Sequence, residues 1–301
     1  LCQNRLSVSV VELSVLGALD GLLWLRTGEA VAEKFQCNQS TISRNAKKCL
    51  AEFDLKAKRI DGEWQLKGDL SLLAMERAVH QLARWRGHRP LRLEAQHWSG
   101  PLFCDPAPPG WVLGNFDFLE YKRPIQLLRE RVVDAWLASY PDCPDADDPE
   151  LTSFRLTRLP MYLLVAEGHP LLALGDRVTM DDVARYPDMA LPDGAFPKFQ
   201  AQAEALGLWN TPTKLKRFQQ ERWYGTMEAE ALVVAYATPL TVGFFETQLK
   251  PLPLVVPIEV GDALIVHRDF AAEPKFLALK DLLVQRIRQL AAQRSDITML
   301  V

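Results

Sequence analysis

The chain has 301 residues, of which 48% are hydrophobic and 24% are charged, with 16 glycines and 20 prolines. This composition is typical of a globular protein of two or three domains, and it excludes disordered, collagen-like and low-complexity chains. No apolar run approaches the roughly 18 residues that cross a bilayer, and no signal peptide is visible. The sequence therefore predicts a cytoplasmic protein.

The cysteines and other potential ligands form no recognisable metal or cofactor motif. The five cysteines are scattered and include no Cys-x-x-Cys pair, which excludes a zinc ribbon and a disulfide framework. No histidine pair has metal-ligand spacing, and no glycine-rich loop of the phosphate-binding kind occurs. We expect reduced thiols, no cofactor and no metal.

The charge is distributed unevenly along the chain. Residues 1–89, which we call the head, hold 14 Lys and Arg against 10 Asp and Glu. Residues 90–301, which we call the body, hold 21 Lys and Arg against 28 Asp and Glu. A basic head on an acidic body suggests a nucleic-acid partner for the head. The excess is modest, so the assignment depends on a motif.

Three short helices are predicted in the head. Thr27 is placed to cap a second helix over 28–35, and Asn38 to cap a third that runs to about Leu50. A first helix is predicted by apolar residues at helical spacing, namely Val15, Leu16, Leu19, Leu22 and Leu23.

The third helix carries a polar, cationic face opposite its apolar stripe. Such a helix can enter the DNA major groove, with amide and hydroxyl groups at base edges and cations at phosphates. The alternative is an ordinary solvated helix face. The residues expected to contact DNA in and before this helix are Thr27, Gln39, Ser40, Thr41, Ser43, Arg44, Lys47 and Lys48.

Residues 27–44 as a string resemble the helix-turn-helix of LysR-type transcriptional regulators. Ala32-Glu33-Lys34-Phe35 matches the second helix of that family, and Gln39-Ser40-Thr41-Ile42-Ser43-Arg44 matches the start of the recognition helix. The sequence departs from the family pattern at Asn38 for serine, Ser40 for proline and Gly28 for an aromatic residue. The resemblance implies a DNA-binding transcriptional regulator.

A hairpin is predicted directly after the third helix. Residues 56–59 and 64–67 flank Asp61-Gly62, a dipeptide that favours a two-residue turn. The resemblance implies a β-wing here, in which Lys58 and Arg59 contact phosphates. Solvated hairpin charges are the alternative, and Trp64 is expected to pack under the wing rather than contact a base.

A helix over 71–86 is predicted to follow the wing. Its apolar residues Leu72, Met75, Val79 and Leu82 are spaced by three, four and three, as in a coiled-coil seam. The resemblance implies the linker helix through which LysR-type subunits dimerise, giving a homodimer or homotetramer. The alternative is a helix that packs on its own head domain.

The body alternates strands with helices and predicts an α/β fold with parallel sheets. The resemblance implies an N-terminal winged helix-turn-helix and a two-lobed, periplasmic-binding-protein-like effector domain. Only about fifteen residues separate a strand over 91–95 from Trp111, so the first effector-domain helix is expected to be short. The predicted domains are a winged helix-turn-helix over 1–68, a linker helix over 69–88, effector lobe I over 89–165 and 252–301, and effector lobe II over 166–251.

The individual elements of the body follow from short apolar runs and helical spacing. The predicted strands are 91–95, 111–113, 132–138, 154–165, 189–191, 214–218, 232–237 and 263–267. The predicted helices are 123–131, 198–206, 223–228 and 274–290.

A small-molecule effector is expected beyond the carboxyl ends of the strands and between the lobes. Ser99 stands at a possible helix start that suits a carboxylate, and Trp98 and Trp223 can sandwich an aromatic ring. We therefore expect a small aromatic or otherwise apolar carboxylic acid, with plain packing as the alternative for each residue. The candidates are Trp98, Ser99, Asn115, Ser139, Tyr140, Pro192, Asp193, Phe196, Gln219, Gln220 and Trp223.

Enzyme and transport functions are weaker alternatives. The best catalytic combination, His97 with Ser99 and Asp105, rests on proximity in sequence, and no Gly-x-Ser-x-Gly string occurs. A solute receptor would not need a basic helix-turn-helix. The expected partners are double-stranded operator DNA, a small effector, further copies of the chain and RNA polymerase.

Overall fold

The computed structural model describes residues 11–215, 217–219, 232–242 and 249–301, which fall into two units. The first unit contains the described residues up to Leu93 together with Ala107–Asn115 and Gln126–Ala135. The second contains Glu94–Pro106, Phe116–Ile125 and the described residues from Trp136 onward. Among the residues of these ranges, no helix is long and apolar enough to span a membrane.

The first unit begins with three helices and a hairpin, followed by a longer helix. Three of the helices contribute to a shared apolar core, which includes Leu16 and Leu19 of the first helix, Cys49 of the third and Leu73 of the fourth. The elements are α1 (Leu13–Leu25), α2 (Gly28–Lys34), α3 (Gln39–Glu52), β1 (Lys56–Ile60), β2 (Glu63–Lys67) and α4 (Ser71–Trp85).

The predicted hairpin is confirmed. Ile60 and Glu63 are the last paired residues of β1 and β2, so only Asp61 and Gly62 form the turn. Both have positive φ, 52° and 85°. That backbone geometry requires glycine or a residue such as aspartate that tolerates it, and this explains why the dipeptide specifies the turn.

A parallel pair of strands completes the first unit. β3 (Leu91–Ala95) pairs with β4 (Trp111–Leu113), with Leu91 opposite Trp111. The helix between them, α5 (Gly100–Phe103), has only four residues, as the short connection predicted. The last residues of β3 and all of α5 belong to the second unit.

Most of the second unit is built on a sheet and its covering helices. The elements are α6 (Lys122–Arg129, shared with the first unit), β5 (Ala135–Tyr140), β6 (Leu151–Arg155), β7 (Thr157–Ala166), α7 (Met180–Val183), α8 (Pro197–Glu204), β8 (Ala235–Ala237), β9 (Leu249–His267), α9 (Pro274–Ala291) and β10 (Thr298–Met299). The strand order is β10, β7, β9, β5, and β6 also pairs with β9 and β8 with β7. The pairings among β6 to β10 are antiparallel, so the prediction of parallel sheets is wrong for this unit.

Several predicted strands of the body are corrected. The strand predicted over 154–165 is two strands, β6 and β7, interrupted at Leu156. β9 begins at Leu249, fourteen residues before the predicted start. The strands predicted over 189–191 and 214–218 are reduced to isolated bridges at Asp188, Ala190 and Arg217. The helix predicted over 223–228 lies outside the described residues.

Candidate nucleic-acid interface and effector cavity

The helix α3 is anchored by one face and exposed on the other. Ile42, Ala46 and Cys49 are buried, and burial of the Cys49 thiol raises its pKa to about 12. The two preceding helices, α1 and α2, also pack closely on each other, since a Cβ at Gly21 would lie only 2.7 Å from Cγ1 of Val31. The helix that was expected to read DNA is therefore held from behind by apolar contacts.

The polar residues expected to contact DNA lie on the outer side of this assembly. Thr41 alone among them is half-buried; the exposed ones are Thr27, Gln39, Ser40, Ser43, Arg44, Lys47 and Lys48. Thr27 also caps α2, since its Oγ1 accepts a hydrogen bond from the Ala30 N–H at 3.2 Å. Asn38 stands at the N-cap position of α3, but its side chain makes no capping hydrogen bond, contrary to our expectation.

The wing extends the exposed cationic surface. Lys58 and Arg59 are exposed on β1, and Arg59 Nε donates to the Gly62 carbonyl at 3.0 Å. Trp64 packs against the core, and its Nε1 donates to the Arg26 carbonyl at 2.8 Å. The expectation that Trp64 packs under the wing is confirmed.

The helix α4 has an unusual division between its two sides. The predicted seam residues are exposed, from 45% for Leu82 through 57% for Val79 and 62% for Leu72 to 71% for Met75. The opposite side buries Leu73 and Trp85 together with five polar or charged side chains. α4 therefore packs on its own head, as in the alternative, but through Leu73 and the buried side, while the seam residues stay exposed.

The charged side chains of α4 belong to a buried ion-pair network that the sequence pattern did not reveal. Arg77 contacts Asp20 of α1 at 2.9 Å and Glu130 at 3.1 Å. Arg84 contacts Asp134 at 2.8 Å, and Asp134 also accepts the backbone N–H of Arg92 at 2.9 Å. The network links α1, α4, β3 and the segment after α6 within the first unit.

Two cavities in the second unit adjoin, since Trp98, Met161 and Phe199 line both. One has a volume of about 120 Å³ and is lined mainly by aromatic and aliphatic side chains, including those of His97 and Tyr236. The other has a volume of about 80 Å³ and extends to Asp142 and Asp262. We call the two together the effector cavity.

Four of the predicted effector residues line this cavity, namely Trp98, Ser139, Tyr140 and Phe196. The others do not. Asn115, Asp193 and Gln219 are exposed and Pro192 is half-buried, and none of these side chains lines the cavity. Gln220 and Trp223 lie outside the described residues, so the proposed aromatic sandwich has only Trp98 in place.

The expectation for Ser99 is wrong. Ser99 precedes α5, but it is completely buried and makes no capping hydrogen bond. The first N–H of α5, on Gly100, donates to the Gln96 carbonyl at 2.7 Å. The start of this four-residue helix is therefore closed to a carboxylate. The buried Ser99 hydroxyl and the exposed Asp105 also give no support to the catalytic combination with His97.

Burial controls the ionisation of the effector cavity. His97 stacks on Phe218, with ring centroids 4.0 Å apart, and burial lowers its pKa to about 3. Burial raises the pKa of Asp262 to about 6, although the Thr157 hydroxyl donates to its carboxylate at 2.8 Å. Burial also raises the pKa of Asp142. The described lining contains no Lys or Arg, so it offers no cation to a ligand's carboxylate.

Sequence reasoning missed Met161, Phe199 and Tyr236 as cavity residues. Phe199 lies on α8, where the N-terminal backbone N–H groups of Lys198 and Phe199 bond to Asp142 at 2.8 and 2.9 Å. No pattern in the sequence links Asp142 to residues more than fifty positions away. The signal that the sequence offered for Phe199 is that it is the one aromatic residue of the helix predicted over 198–206.

Residues 115–222 match the family model described as the LysR substrate binding domain. No curated protein matches the chain significantly. Among solved structures, a full-length OxyR variant from Pseudomonas aeruginosa is similar at 19% identity and TM-score 0.57, covering 92% of this chain and 95% of that one. ArgP from Mycobacterium tuberculosis gives 13% identity and TM-score 0.54, covering 90% and 96%.

A third similar structure is full-length CbnR complexed with its target DNA, at 12% identity and TM-score 0.51, covering 92% of this chain and all of that one. The likeness therefore extends over the head as well as the body. The resemblance seen in residues 27–44 is thus confirmed by independent matches: the chain has the fold of full-length LysR-type regulators, and its residues 115–222 match the LysR substrate-binding domain model.

Proposed function

We propose that this protein is a ligand-responsive transcriptional regulator that binds double-stranded DNA in the cytoplasm and is not an enzyme. The observation that carries the proposal is the outer surface of the winged helix-turn-helix. Four cations, Arg44, Lys47, Lys48 and Lys58, are exposed there beside the short polar side chains at the start of α3. Short side chains admit the helix to the major groove, and the cations replace counterions on phosphates.

The test is selection of bound duplexes from random DNA, followed by affinity measurement over a range of salt concentrations. Replacement of Arg44 by alanine should weaken binding of the selected duplex by about 1–3 kcal/mol and reduce the salt dependence. Arg288→Ala is the matched control, since Arg288 is exposed on α9 of the second unit. Absence of binding to any duplex at low salt would refute the proposal.

We propose that the exposed aliphatic side of α4 is the dimerisation surface. Four large aliphatic or thioether side chains in one stripe are costly to leave in water, at roughly 25 cal/mol per Å². Their three-four-three spacing suits the pairing of two such helices. A dimer through this stripe places two winged helix-turn-helix modules at a fixed separation, as recognition of two half-sites requires.

We propose that the effector bound in the second unit is aromatic or apolar, with a polar group that is uncharged. The lining of His97, Trp98 and Phe199 supports an aromatic body, and His97 is neutral at physiological pH because of its burial. This revises the carboxylic acid expected from the sequence, because the described lining includes Asp142 and Asp262 and no Lys or Arg.

A further inference from the structure

A second, larger cavity lies entirely within the first unit. Its volume is about 480 Å³, within the range of roughly 300–1,000 Å³ that small-molecule sites occupy. α1, α2, α4, β4 and the residues just before and within β3 contribute to its walls, and so does the inner side of α3 through Thr41, Ile42 and Asn45. The cavity thus lies behind the recognition helix, on the side opposite to the exposed polar face.

The wall of this cavity is cationic. Lys34, Arg84, Arg89 and Arg92 line it, and the described lining includes no Asp or Glu. The carboxylates of the ion-pair network lie behind the wall, where Asp20 contacts Arg77 and Arg92, and Asp134 contacts Arg84. The side facing the cavity is therefore left with more positive than negative charge.

Arg92 lacks a full set of hydrogen-bond partners among the described residues. It is only 4% exposed. Its Nη1 donates to the Val132 carbonyl at 2.8 Å and approaches Asp20 at 3.5 Å, while Nε has no hydrogen-bond partner among the described residues. Burial and the neighbouring Arg84 lower the Arg92 pKa to about 10. A buried guanidinium in this state is stabilised by an added anion.

The remaining wall is apolar. Val31 and Ile42 are buried there, and Leu13, Phe35 and Val112 are half-buried. Phe35 lies near Arg92, whose guanidinium carbon is 5.7 Å from the ring centroid. A ligand that satisfies both kinds of wall has one anionic group on an apolar body.

We propose that this cavity is a binding site for a small organic carboxylate, held by Arg92, Arg89 and Lys34. It is distinct from the effector cavity of the second unit, whose described lining is aromatic and carries no cation. Because the occupant contacts Thr41 and Asn45, it touches α3 from behind. Any control of DNA binding through this contact rests on the proposed function, but occupancy itself does not, and the test uses no DNA.

The experiment is calorimetric titration of the full chain with phenylacetate, hexanoate and inorganic phosphate, with phenylacetamide as the uncharged match to phenylacetate. We expect phenylacetate and hexanoate to bind. In the Trp98→Ala chain, where the effector cavity is altered, phenylacetamide should bind at least about tenfold more weakly than phenylacetate, since it lacks the charge. The double variant K34Q/R89Q should weaken carboxylate binding at least about tenfold. Arg86→Gln, an exposed cation outside the lining, should leave binding unchanged.

A second variant separates the two cavities. Trp98→Ala alters the effector cavity only, so carboxylate binding should survive it. Carboxylate binding that is lost in Trp98→Ala and retained in K34Q/R89Q would assign the carboxylate to the effector cavity and overturn the proposal. Failure of both carboxylates to bind would also overturn it. If inorganic phosphate were then the one ligand that binds, the apolar wall would have no role in binding. DNA binding that fails while carboxylate binding succeeds would refute only the proposed function.

Discussion

Asp20 of α1 and Arg77 of α4 form an ion pair that is almost completely inaccessible to solvent. Nε and Nη2 of Arg77 both lie 2.9 Å from Oδ1 of Asp20, and the two side chains are 3% and 1% exposed. Removal of one member of a buried pair leaves the other charge without compensation, which costs far more than the pair itself contributes.

Replacement of Asp20 by asparagine should therefore lower the free energy of unfolding by about 3–5 kcal/mol. Urea denaturation measures the change. Glu259→Gln is the control, because Glu259 pairs with Arg155 where both side chains are half exposed, and such pairs contribute at most about 1 kcal/mol. Equal losses in the two variants would contradict the account of the network.

The exposed stripe of α4 predicts how the oligomeric state of the protein responds to substitution. Replacement of both Val79 and Leu82 by glutamate should give a monomer in sedimentation, because charge repels across the pairing surface while the fold loses few contacts. Leu277→Glu is the control, since Leu277 is an exposed leucine of α9 and is 40% accessible. A dimer that persists in the double variant would place the interface elsewhere.

The effector cavity predicts that an aromatic side chain of its lining, Trp98, is required for tight ligand binding. Trp98→Ala should weaken binding of phenylacetamide, or of another uncharged aromatic ligand, at least about tenfold, because the indole supplies a ring face to the ligand. Calorimetry on the full chain measures this. Tyr186→Ala, a half-buried aromatic of the same unit outside the cavity, serves as control. Unchanged affinity in Trp98→Ala would exclude this cavity as the site.

Asp262 predicts a pH dependence of stability. Burial raises its pKa in the folded protein to about 6, above the ordinary value of 3.8. Between about pH 4 and pH 6 the folded state thus binds a proton that the unfolded state has lost, so this group's contribution to stability falls as the pH rises through that window. The loss is complete above about pH 6.

Asp262→Asn should remove this slope while keeping the oxygen that accepts from Thr157. The free energy of unfolding of the variant, relative to the native chain, should rise by about 3 kcal/mol at most between pH 4 and pH 7. Urea denaturation at several pH values measures the difference. A difference that does not change with pH would show that Asp262 titrates normally.

Local signals in the sequence predicted the head well. Asp61-Gly62 specifies its turn through backbone conformation alone, and Thr27 caps α2 with its own side chain. The spacing of Leu72, Met75, Val79 and Leu82 placed them on one face of α4, which the structure has. These features depend on residues a few positions apart, and therefore the sequence pattern contains them.

Features that depend on distant residues were missed. The first half of β9 contains Pro251, Pro253 and Pro257. Because proline lacks the N–H that a strand donates, the sequence did not predict a strand there. The sequence pattern gives no sign that Arg77 and Arg84 are buried, because their partners Asp20 and Asp134 lie about fifty positions away or more. Ser99 resembled an open helix start, although α5 is too short and too deeply packed to provide one.

The ion pair of Asp20 also has a consequence for the autonomy of the DNA-reading module. The counterions of Asp20 are Arg77 of α4 and Arg92 of β3. Leu73 of α4 completes the apolar core shared by α1 and α3. A fragment excised after the wing at residue 68 would lose Leu73 and both guanidinium groups at once. A fragment that keeps all three contacts of the module therefore extends beyond α4 and into the first strand of the body.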